Sequence, residues 1–189
     1  MKVGIFGGRF DPVHIGHLIL ARDVLEHLNL DRILFLLSYT PPHKEVSLSF
    51  EMRLKLLKAA LSMEPSFDVC TIERDLGLEK SYTALVLKEL SKSMRTDSLY
   101  FIMGEDQFLK LHSWYMPEKI FEIANVVVLK RHEKDIKTDF SGRVQYVNRR
   151  IIEISSTEIR ERLKRGLSIK HLVPHEVEKI ILSENLYKF

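Results

Sequence analysis

Short hydrophobic runs alternate along the chain with longer segments in which hydrophobic residues recur at helical spacing. This alternation is typical of a parallel sheet whose strands are joined by crossover helices. The run 33–37 is hydrophobic throughout, as in a strand that is buried on both faces. The predicted strands are 3–6, 33–37, 67–72, 99–103 and 126–129. The predicted helices are 14–29, 50–63 and 82–92, with further helical material around 108–111 and 117–124.

Toward its end the chain departs from this alternation. Residues 131–142 are polar and predict a loop, whereas 144–147 and 151–154 are short strand-like runs. Together the elements predict an α/β fold, a Rossmann-like doubly wound and mostly parallel sheet with helices on both faces and a small C-terminal helical extension. We expect the whole chain to form a single domain, with the core over 1–150 and the extension over 151–189.

The C-terminal extension carries two helix signals. Ser155 followed by Glu158 predicts a capped helix start, because a hydroxyl and a glutamate at this spacing satisfy free amide groups. This helix is expected to run to Lys164 and to end at Gly166, a favourable terminating residue. Pro174 then opens a last helix.

Composition places the chain among ordinary globular proteins. Its 189 residues are enough for one domain with a proper core, and 45% hydrophobic and 29% charged residues argue against disorder. The net charge of +3 is too mild to imply nucleic acid, and a small anionic ligand suits it equally. The one cysteine, Cys70, excludes an internal disulfide and is expected to be a buried strand residue. The N-terminus lacks signal-peptide features and no stretch reaches the roughly 18 apolar residues of a membrane helix, so we expect a cytoplasmic protein.

A glycine pair and a histidine pair mark the segment after the first predicted strand. Gly7 and Gly8 let backbone amides approach an anion closely, and the helix start that follows adds a favourable dipole. The pattern matches neither a dinucleotide fingerprint nor a P-loop. His14 and His17 lie one helical turn apart, so both imidazoles can point toward the same phosphate oxygens. A zinc site is the alternative chemistry, but helical zinc ligands usually have a four-residue spacing and no third ligand is evident nearby.

Two segments resemble the signatures of a known enzyme superfamily. Residues 7–17, GGRFDPVHIGH, resemble the first signature of the HxGH nucleotidyltransferases. Residues 154–160, ISSTEIR, resemble the second, a Ser/Thr-rich helix start with a basic residue one turn in. The resemblance implies in-line attack of an acceptor phosphate on the α-phosphorus of a nucleoside triphosphate, with pyrophosphate leaving and no covalent enzyme intermediate. Catalysis of this kind depends on positioning and charge stabilisation.

The superfamily resemblance assigns roles to individual residues. The ATP-binding residues that it implies are Gly7, Gly8, Phe10, Asp11, His14, Gly16, His17, Ile154, Ser155, Ser156, Thr157 and Arg160. The catalytic residues that it implies are His14, His17, Arg160 and Lys44. At one position, Arg9, the chain departs from the pattern, since many relatives carry Thr or Ser there.

The middle of the chain is similar to the family of bacterial nicotinate-nucleotide adenylyltransferases. The similar segments are 41–44, 81–84, 104–106, 111–115 and 166–177, so the resemblance covers essentially the whole chain. It implies nicotinate mononucleotide as the acceptor and ATP as the co-substrate. It also implies Mg²⁺ that bridges the ATP phosphates and is held by phosphate and water, with no protein ligand to the metal.

The same resemblance implies a set of acceptor-binding residues: Lys44, Tyr82, Thr83, Ala84, Gly104, Asp106, Trp114 and Tyr115. Trp114 has a flat face that could stack on a pyridine ring, and Asp106 could accept a hydrogen bond from a ribose hydroxyl. Without the resemblance, a core residue and a helix cap are the ordinary interpretations of Trp114 and Asp106. In this family the backbone amides at the positions of Ala84 and Tyr115 bind the acceptor's carboxylate, which favours an anion over a neutral amide.

Several alternatives remain open at the level of the sequence. Within the enzyme class, nicotinamide mononucleotide is the nearest alternative acceptor, and phosphopantetheine or glycerol phosphate would leave Trp114 and Tyr115 without a purpose. A nucleotide sensor or a nucleic-acid binder is disfavoured, because no run of basic residues is interleaved with aromatics. A dehydrogenase lacks its third glycine and its acidic ribose ligand. We expect no nucleic-acid or membrane partner, and the oligomeric state stays open, a homo-oligomer being compatible with the sequence.

Overall fold

The computed structural model describes residues 1–39, 46–77, 82–94, 98–130, 138–148, 150 and 152–188. These residues form one six-stranded sheet in the order β3-β2-β1-β4-β5-β6, and every neighbouring pair is parallel. The strands are β1 (Lys2–Gly8), β2 (Arg32–Leu37), β3 (Phe67–Cys70), β4 (Ser98–Gly104), β5 (Asn125–Lys130) and β6 (Val144–Asn148). The predicted α/β class and doubly wound parallel sheet are therefore confirmed.

Helices cover both faces of this sheet, as predicted. They are α1 (Ile15–His27), α2 (Phe50–Leu61), α3 (Ile72–Asp75), α4 (Thr83–Ser93), α5 (Glu105–Phe108), α6 (Pro117–Ile123), α7 (Ser156–Lys164) and α8 (His175–Ser183). Two short 3₁₀ helices, Leu111–Ser113 and Ser141–Arg143, complete the described elements. One hydrophobic core lies between the sheet and α1, α2, α7 and α8, and a second lies on the opposite face under α4, α5 and α6.

Two predicted strand segments are wrong. The strand predicted over 67–72 ends at Cys70, and Ile72 begins α3 because the Thr71 carbonyl accepts the first helical amides. Ile72 is hydrophobic because it packs against the second core, not because it continues the strand. Residues 152–154 have no regular structure, and Ile152 and Ile154 are partly buried against the first core without belonging to a strand.

The C-terminal helices form as the capping signals predict. Ser155 is the N-cap of α7, and its hydroxyl accepts the amide of Glu158 at 3.1 Å. Gly166 ends this helix with a φ of +67°, a conformation that a residue with a side chain adopts only under strain. Pro174 is the N-cap of α8, whose buried residues Val177 and Ile181 share the first core with α1 and α2. The extension and the core bury hydrophobic residues in one shared cluster. The division of the chain at residue 150 stays a prediction.

The topology fixes where a ligand can bind. In an open parallel sheet, ligands bind beyond the carboxyl ends of the strands, at the point where the strand order reverses. Here the reversal lies between β1 and its neighbour β4. Phe6 of β1 is in register with Ile102 of β4, and each strand continues two residues further, to Gly8 and Gly104. The segments that follow these glycines therefore meet at one edge of the sheet.

Among the described residues, none of the helices has the length and apolar character required to cross a bilayer.

Candidate active site

The two histidines predicted to meet phosphate lie together at the start of α1. Their rings stack with a centroid distance of 3.6 Å and an interplanar angle of 29°. His14 is the N-cap residue, and its backbone N–H donates to Nδ1 of His17 at 3.2 Å. Because Nδ1 of His17 is an acceptor, the proton of a neutral His17 ring is on Nε2, which can then donate. The backbone thus selects one tautomer of His17.

Two glycines lie in close contact with the rings of this region. A Cβ on Gly16 would lie 3.1 Å from Nδ1 and 3.2 Å from Cε1 of His14, so a side chain at this position would require the imidazole to shift by a few tenths of an ångström. A Cβ on Gly8 would lie 2.8 Å from the ring of Phe10, which itself lies edge-on to His17 at 5.0 Å. Gly8 therefore lets Phe10 support the His17 ring, and Gly16 leaves room for the His14 ring.

Both histidines are held in their neutral form. Burial lowers the pKa of His14 from 6.5 to about 4. Burial, followed by the nearby His14, lowers the pKa of His17 well below its usual range. Within the described part of the chain, Nδ1 of His14 is buried without a hydrogen-bond partner. A bound anion would supply an acceptor for these rings and would favour their protonation.

The lowered pKa values predict a loss of stability in mild acid. The folded protein keeps His14 neutral down to about pH 4, whereas the unfolded chain protonates it near 6.5. Between these values the unfolded state binds more protons, so stability rises with pH and is lost as the pH falls. From pH 7 to pH 5, His14 alone should lower the free energy of unfolding by about 2 kcal/mol. Urea unfolding at the two pH values measures this loss.

A matched pair of variants checks the assignment to His14. The variant His14→Gln lacks the titrating ring at position 14 and should lose less unfolding free energy between pH 7 and pH 5. The variant His175→Gln replaces a histidine whose side chain is 73% exposed and should keep the wild-type loss. Equal losses in both variants would contradict the prediction.

The second signature packs directly onto the first. Ser156 donates its hydroxyl to the carbonyl of Pro12 at 2.8 Å. Arg160 donates Nη1 to the carbonyl of Asp11 at 2.8 Å and Nη2 to Oγ1 of Thr157 at 3.3 Å. The structure therefore brings the two ends of the chain into one constellation, as the resemblance implies.

Asp11 is placed differently from an ordinary ligand-binding carboxylate. Its side chain is only 2% exposed, and its two oxygens accept from the Tyr187 hydroxyl at 2.7 Å and from the Ser47 amide at 2.6 Å. Its carboxylate thus binds protein groups on both oxygens. Its predicted role in ATP binding stays a prediction, and the contacts indicate that Asp11 also organises the segment.

Arg53 and Tyr187 belong to this constellation and are missing from the predicted site residues. Arg53 is 1% exposed; its Nη1 donates to the carbonyls of Arg9 and Ser38, both at 2.9 Å, and its Nε donates to the Leu48 carbonyl at 3.3 Å. One signal in the sequence could have identified it. Arg53 has hydrophobic residues three before and three and four after it, which places the guanidinium on the buried face of α2. No comparable signal marks Tyr187.

The described residues that are predicted to bind the acceptor end or follow β4, or lie at the start of α4. Tyr82 is the N-cap of α4, and its ring lies 4.6 Å from the ring of Tyr115 at an angle of 31°. Trp114 is half-buried, edge-on to Phe101 at 6.4 Å. Asp106 is exposed within α5, whose N-cap is Gly104, so Asp106 does not cap that helix. Thr83 and Ala84 form the first turn of α4.

Two predicted features remain outside this description. Lys44 and the 41–44 segment lie outside the described residues. Arg9 has a half-buried side chain, and its carbonyl accepts from Arg53. The role of the Arg9 guanidinium is not explained by these contacts.

Comparisons with known proteins agree with the fold. The sequence model of the cytidylyltransferase-like family matches residues 5–162. A protein of Hydrogenobaculum sp. (strain Y04AAS1) named as a probable nicotinate-nucleotide adenylyltransferase is 41% identical over 194 residues, covering 99% of this chain and 98% of the relative. Another of that name from Dictyoglomus thermophilum is 37% identical over 99% of this chain and 100% of the relative. The fold also matches a Plasmodium falciparum nicotinic acid mononucleotide adenylyltransferase complexed with NaAD, with a TM-score of 0.81, 21% identity and coverage of 100% and 98%.

The parallel sheet and the two-part site at its carboxyl edge define an enzyme of the nucleotidyltransferase class. Because the match spans the whole length of chain and relative, the assignment can be made more narrowly. The chain belongs to the cytidylyltransferase-like family and, within it, to the family of nicotinate-nucleotide adenylyltransferases.

Proposed function

We propose that the protein transfers the adenylyl group of ATP to nicotinate mononucleotide, giving nicotinate adenine dinucleotide and pyrophosphate, a step of NAD biosynthesis. The observation that carries this function is the full-length identity of 41% to a named nicotinate-nucleotide adenylyltransferase. The two signatures supply the chemistry, since Ser156 and Arg160 are hydrogen-bonded to the segment that holds the histidine pair.

In the proposed reaction, a phosphate oxygen of the acceptor attacks the α-phosphorus of ATP, and the bond to the pyrophosphate oxygen breaks. The enzyme forms no covalent bond, so its contribution is to align the two substrates and to stabilise the developing charge. His17 donates from Nε2 to a phosphate oxygen, and the stacked His14 ring adds a second donor once it meets an anion. The forked guanidinium of Arg160 donates hydrogen bonds to phosphate oxygens as negative charge develops on the leaving pyrophosphate.

We propose that Mg²⁺ acts at this site as a partner of ATP, as the family resemblance implies. Among the described residues, no group of three or more His, Cys, Asp or Glu side chains could hold a metal ion. Asp11, the acidic residue nearest the histidine pair in the sequence, has both carboxylate oxygens engaged by protein donors. In this proposal Mg²⁺ would be held by phosphate oxygens and water and would neutralise charge on the triphosphate.

The start of α4 supports a preference for an acceptor with a carboxylate. The amides of Thr83 and Ala84 lie in the first helical turn, where backbone donors have no intrahelical acceptor. Tyr82 caps this helix without a side-chain hydrogen bond, and the helix dipole favours a negative charge here. The tilted contact between the Tyr82 and Tyr115 rings brings the segment after β4 to the same point. A nicotinate carboxylate offers two charged acceptor oxygens to these amides, whereas nicotinamide offers one neutral carbonyl oxygen and an NH₂ group that only donates.

An assay of the purified protein with ATP, Mg²⁺ and each mononucleotide tests the function. We expect pyrophosphate release with nicotinate mononucleotide, and a kcat/KM at least about 10-fold lower with nicotinamide mononucleotide, the scale of a lost hydrogen bond to a charged group. Equal values for the two acceptors would remove the proposed specificity. If neither acceptor gave pyrophosphate release, a nucleotide sensor would be favoured instead.

The proposed function includes a cytoplasmic location.

A further inference from the structure

Tyr187 is joined to the segment that holds the histidine pair, although it lies 176 residues away from Asp11 in the sequence. Its hydroxyl donates to Oδ1 of Asp11 at 2.7 Å, and this hydrogen bond is buried. Its ring belongs to the first hydrophobic core and is 8% exposed. Burial, followed by the charge of Asp11, raises the pKa of Tyr187, so the hydroxyl keeps its proton and acts as the donor.

Asp11 connects Tyr187 to the side chains of the second signature, Ser156 and Arg160. Its backbone carbonyl accepts from Arg160, and the next carbonyl, that of Pro12, accepts from Ser156. Its second carboxylate oxygen accepts from Ser47, which follows β2 in the chain. The position of one carboxylate therefore affects both the loop after β1 and the placement of the Arg160 guanidinium.

The backbone on both sides of this contact adopts a strained conformation. Phe10, directly before Asp11, has a φ of +46°, and Tyr187 itself has a φ of +62°. Bulky residues adopt the left-handed region rarely and at a cost in energy, and such strain persists only where surrounding contacts impose it. Here the hydrogen bond joins the strained residue Tyr187 to Asp11, the direct neighbour of the strained residue Phe10.

We propose that Tyr187 is a positioning residue for adenylyl transfer, which holds Asp11 so that the loop after β1 and Arg160 are set for the triphosphate of ATP. This inference rests on the proposed function. The hydroxyl of Tyr187 touches a residue of the loop and not the reacting atoms, so its effect should appear in the use of ATP and not in the use of the acceptor.

The variant Tyr187→Phe tests this role because it removes one hydroxyl and keeps the buried ring. We expect the KM for ATP to rise about 10-fold, the size of one lost charge-assisted hydrogen bond, while the KM for the acceptor changes less than about 2-fold. The Kd of a non-hydrolysable ATP analogue, measured by calorimetry, should rise by a similar factor. A residue that only stabilised the fold would lower the melting temperature and leave these constants unchanged.

The variant Tyr146→Phe is the matched control. Tyr146 also has a buried hydroxyl, which has no hydrogen-bond partner among the described residues, and it lies in β6 away from the loop. Its kinetic constants should stay at wild-type values.

In a background of Asp11→Asn, the change Tyr187→Phe should have a smaller effect than in the wild type, because the two residues act through one contact.

The possible failures are distinguishable. A wild-type protein that binds the ATP analogue but adenylylates neither mononucleotide would refute the proposed function and leave the effect of Tyr187→Phe on analogue binding measurable. A wild-type protein that is active, with a Tyr187→Phe variant whose KM for ATP and analogue Kd are both unchanged, would overturn the positioning role alone. Additive effects of the two substitutions would also overturn it.

Discussion

Replacing His17 with Ala lowers kcat by about 100-fold or more, the scale of a lost donor to a charge that develops in the transition state. The His17 ring accepts the backbone N–H of His14 through Nδ1, so its remaining nitrogen carries the proton that phosphate can accept. Alanine removes this donor and also the ring on which His14 stacks. Steady-state kinetics with saturating ATP and nicotinate mononucleotide measures the loss.

Two further measurements define the interpretation of that loss. The variant His175→Ala removes a histidine from the exposed start of α8 and should keep full activity. A thermal melt of His17→Ala should show that the protein remains folded at the assay temperature. Turnover close to that of the wild type would show that His17 does not stabilise the transition state.

Replacing Arg53 with Met lowers the free energy of unfolding by about 3–5 kcal/mol, the cost of breaking a buried charged network by removing one partner. The guanidinium donates to three carbonyls, those of Arg9, Ser38 and Leu48. Methionine fills much of the volume but donates nothing, so these part-buried acceptors lose their partner. Asp11 also loses the positive charge of Arg53 nearby. Urea denaturation measures the change, and we expect a melting temperature lower by about 10 °C.

The variant Arg150→Met is the control for the loss of an arginine as such. The Arg150 side chain is 72% exposed and pairs with Asp23 at the surface, so its replacement should cost at most about 1 kcal/mol. The variant Arg53→Lys should fall between Arg53→Met and the wild type, because an ammonium keeps the charge but cannot match the fork that reaches several carbonyls. A change of less than about 1 kcal/mol for Arg53→Met would contradict the structural role assigned here.

The sequence predicts the sheet well because its strands are short, hydrophobic and bounded by glycines or polar residues. It fails where a hydrophobic residue packs without belonging to a strand. Ile72 and the residues 152–154 carry the same hydrophobic signal as a strand, and only the contacts distinguish them. Periodicity reports burial, whereas strand formation also requires a neighbouring strand to pair with.

The candidate site shows a similar limit. Local motifs indicate His14, His17 and Arg160, because their spacing on a helix start is visible in the sequence. The contacts of Asp11 with Ser47 and Tyr187 join residues distant in the chain. No local pattern encodes which residue a buried carboxylate will meet. Only the packing of α2 and the C-terminal extension against the segment after β1 determines it.

The hydrogen bond between Asp11 and Tyr187 also has a consequence for the folding of the chain during translation. These residues are 176 positions apart, so at about 5–20 residues per second a ribosome makes the second roughly 10–35 seconds after the first. During that interval the carboxylate of Asp11 lacks one of its two donors, and Arg160 is absent for most of the same time. The loop after β1 is therefore translated early but acquires its final shape only after the chain is nearly finished.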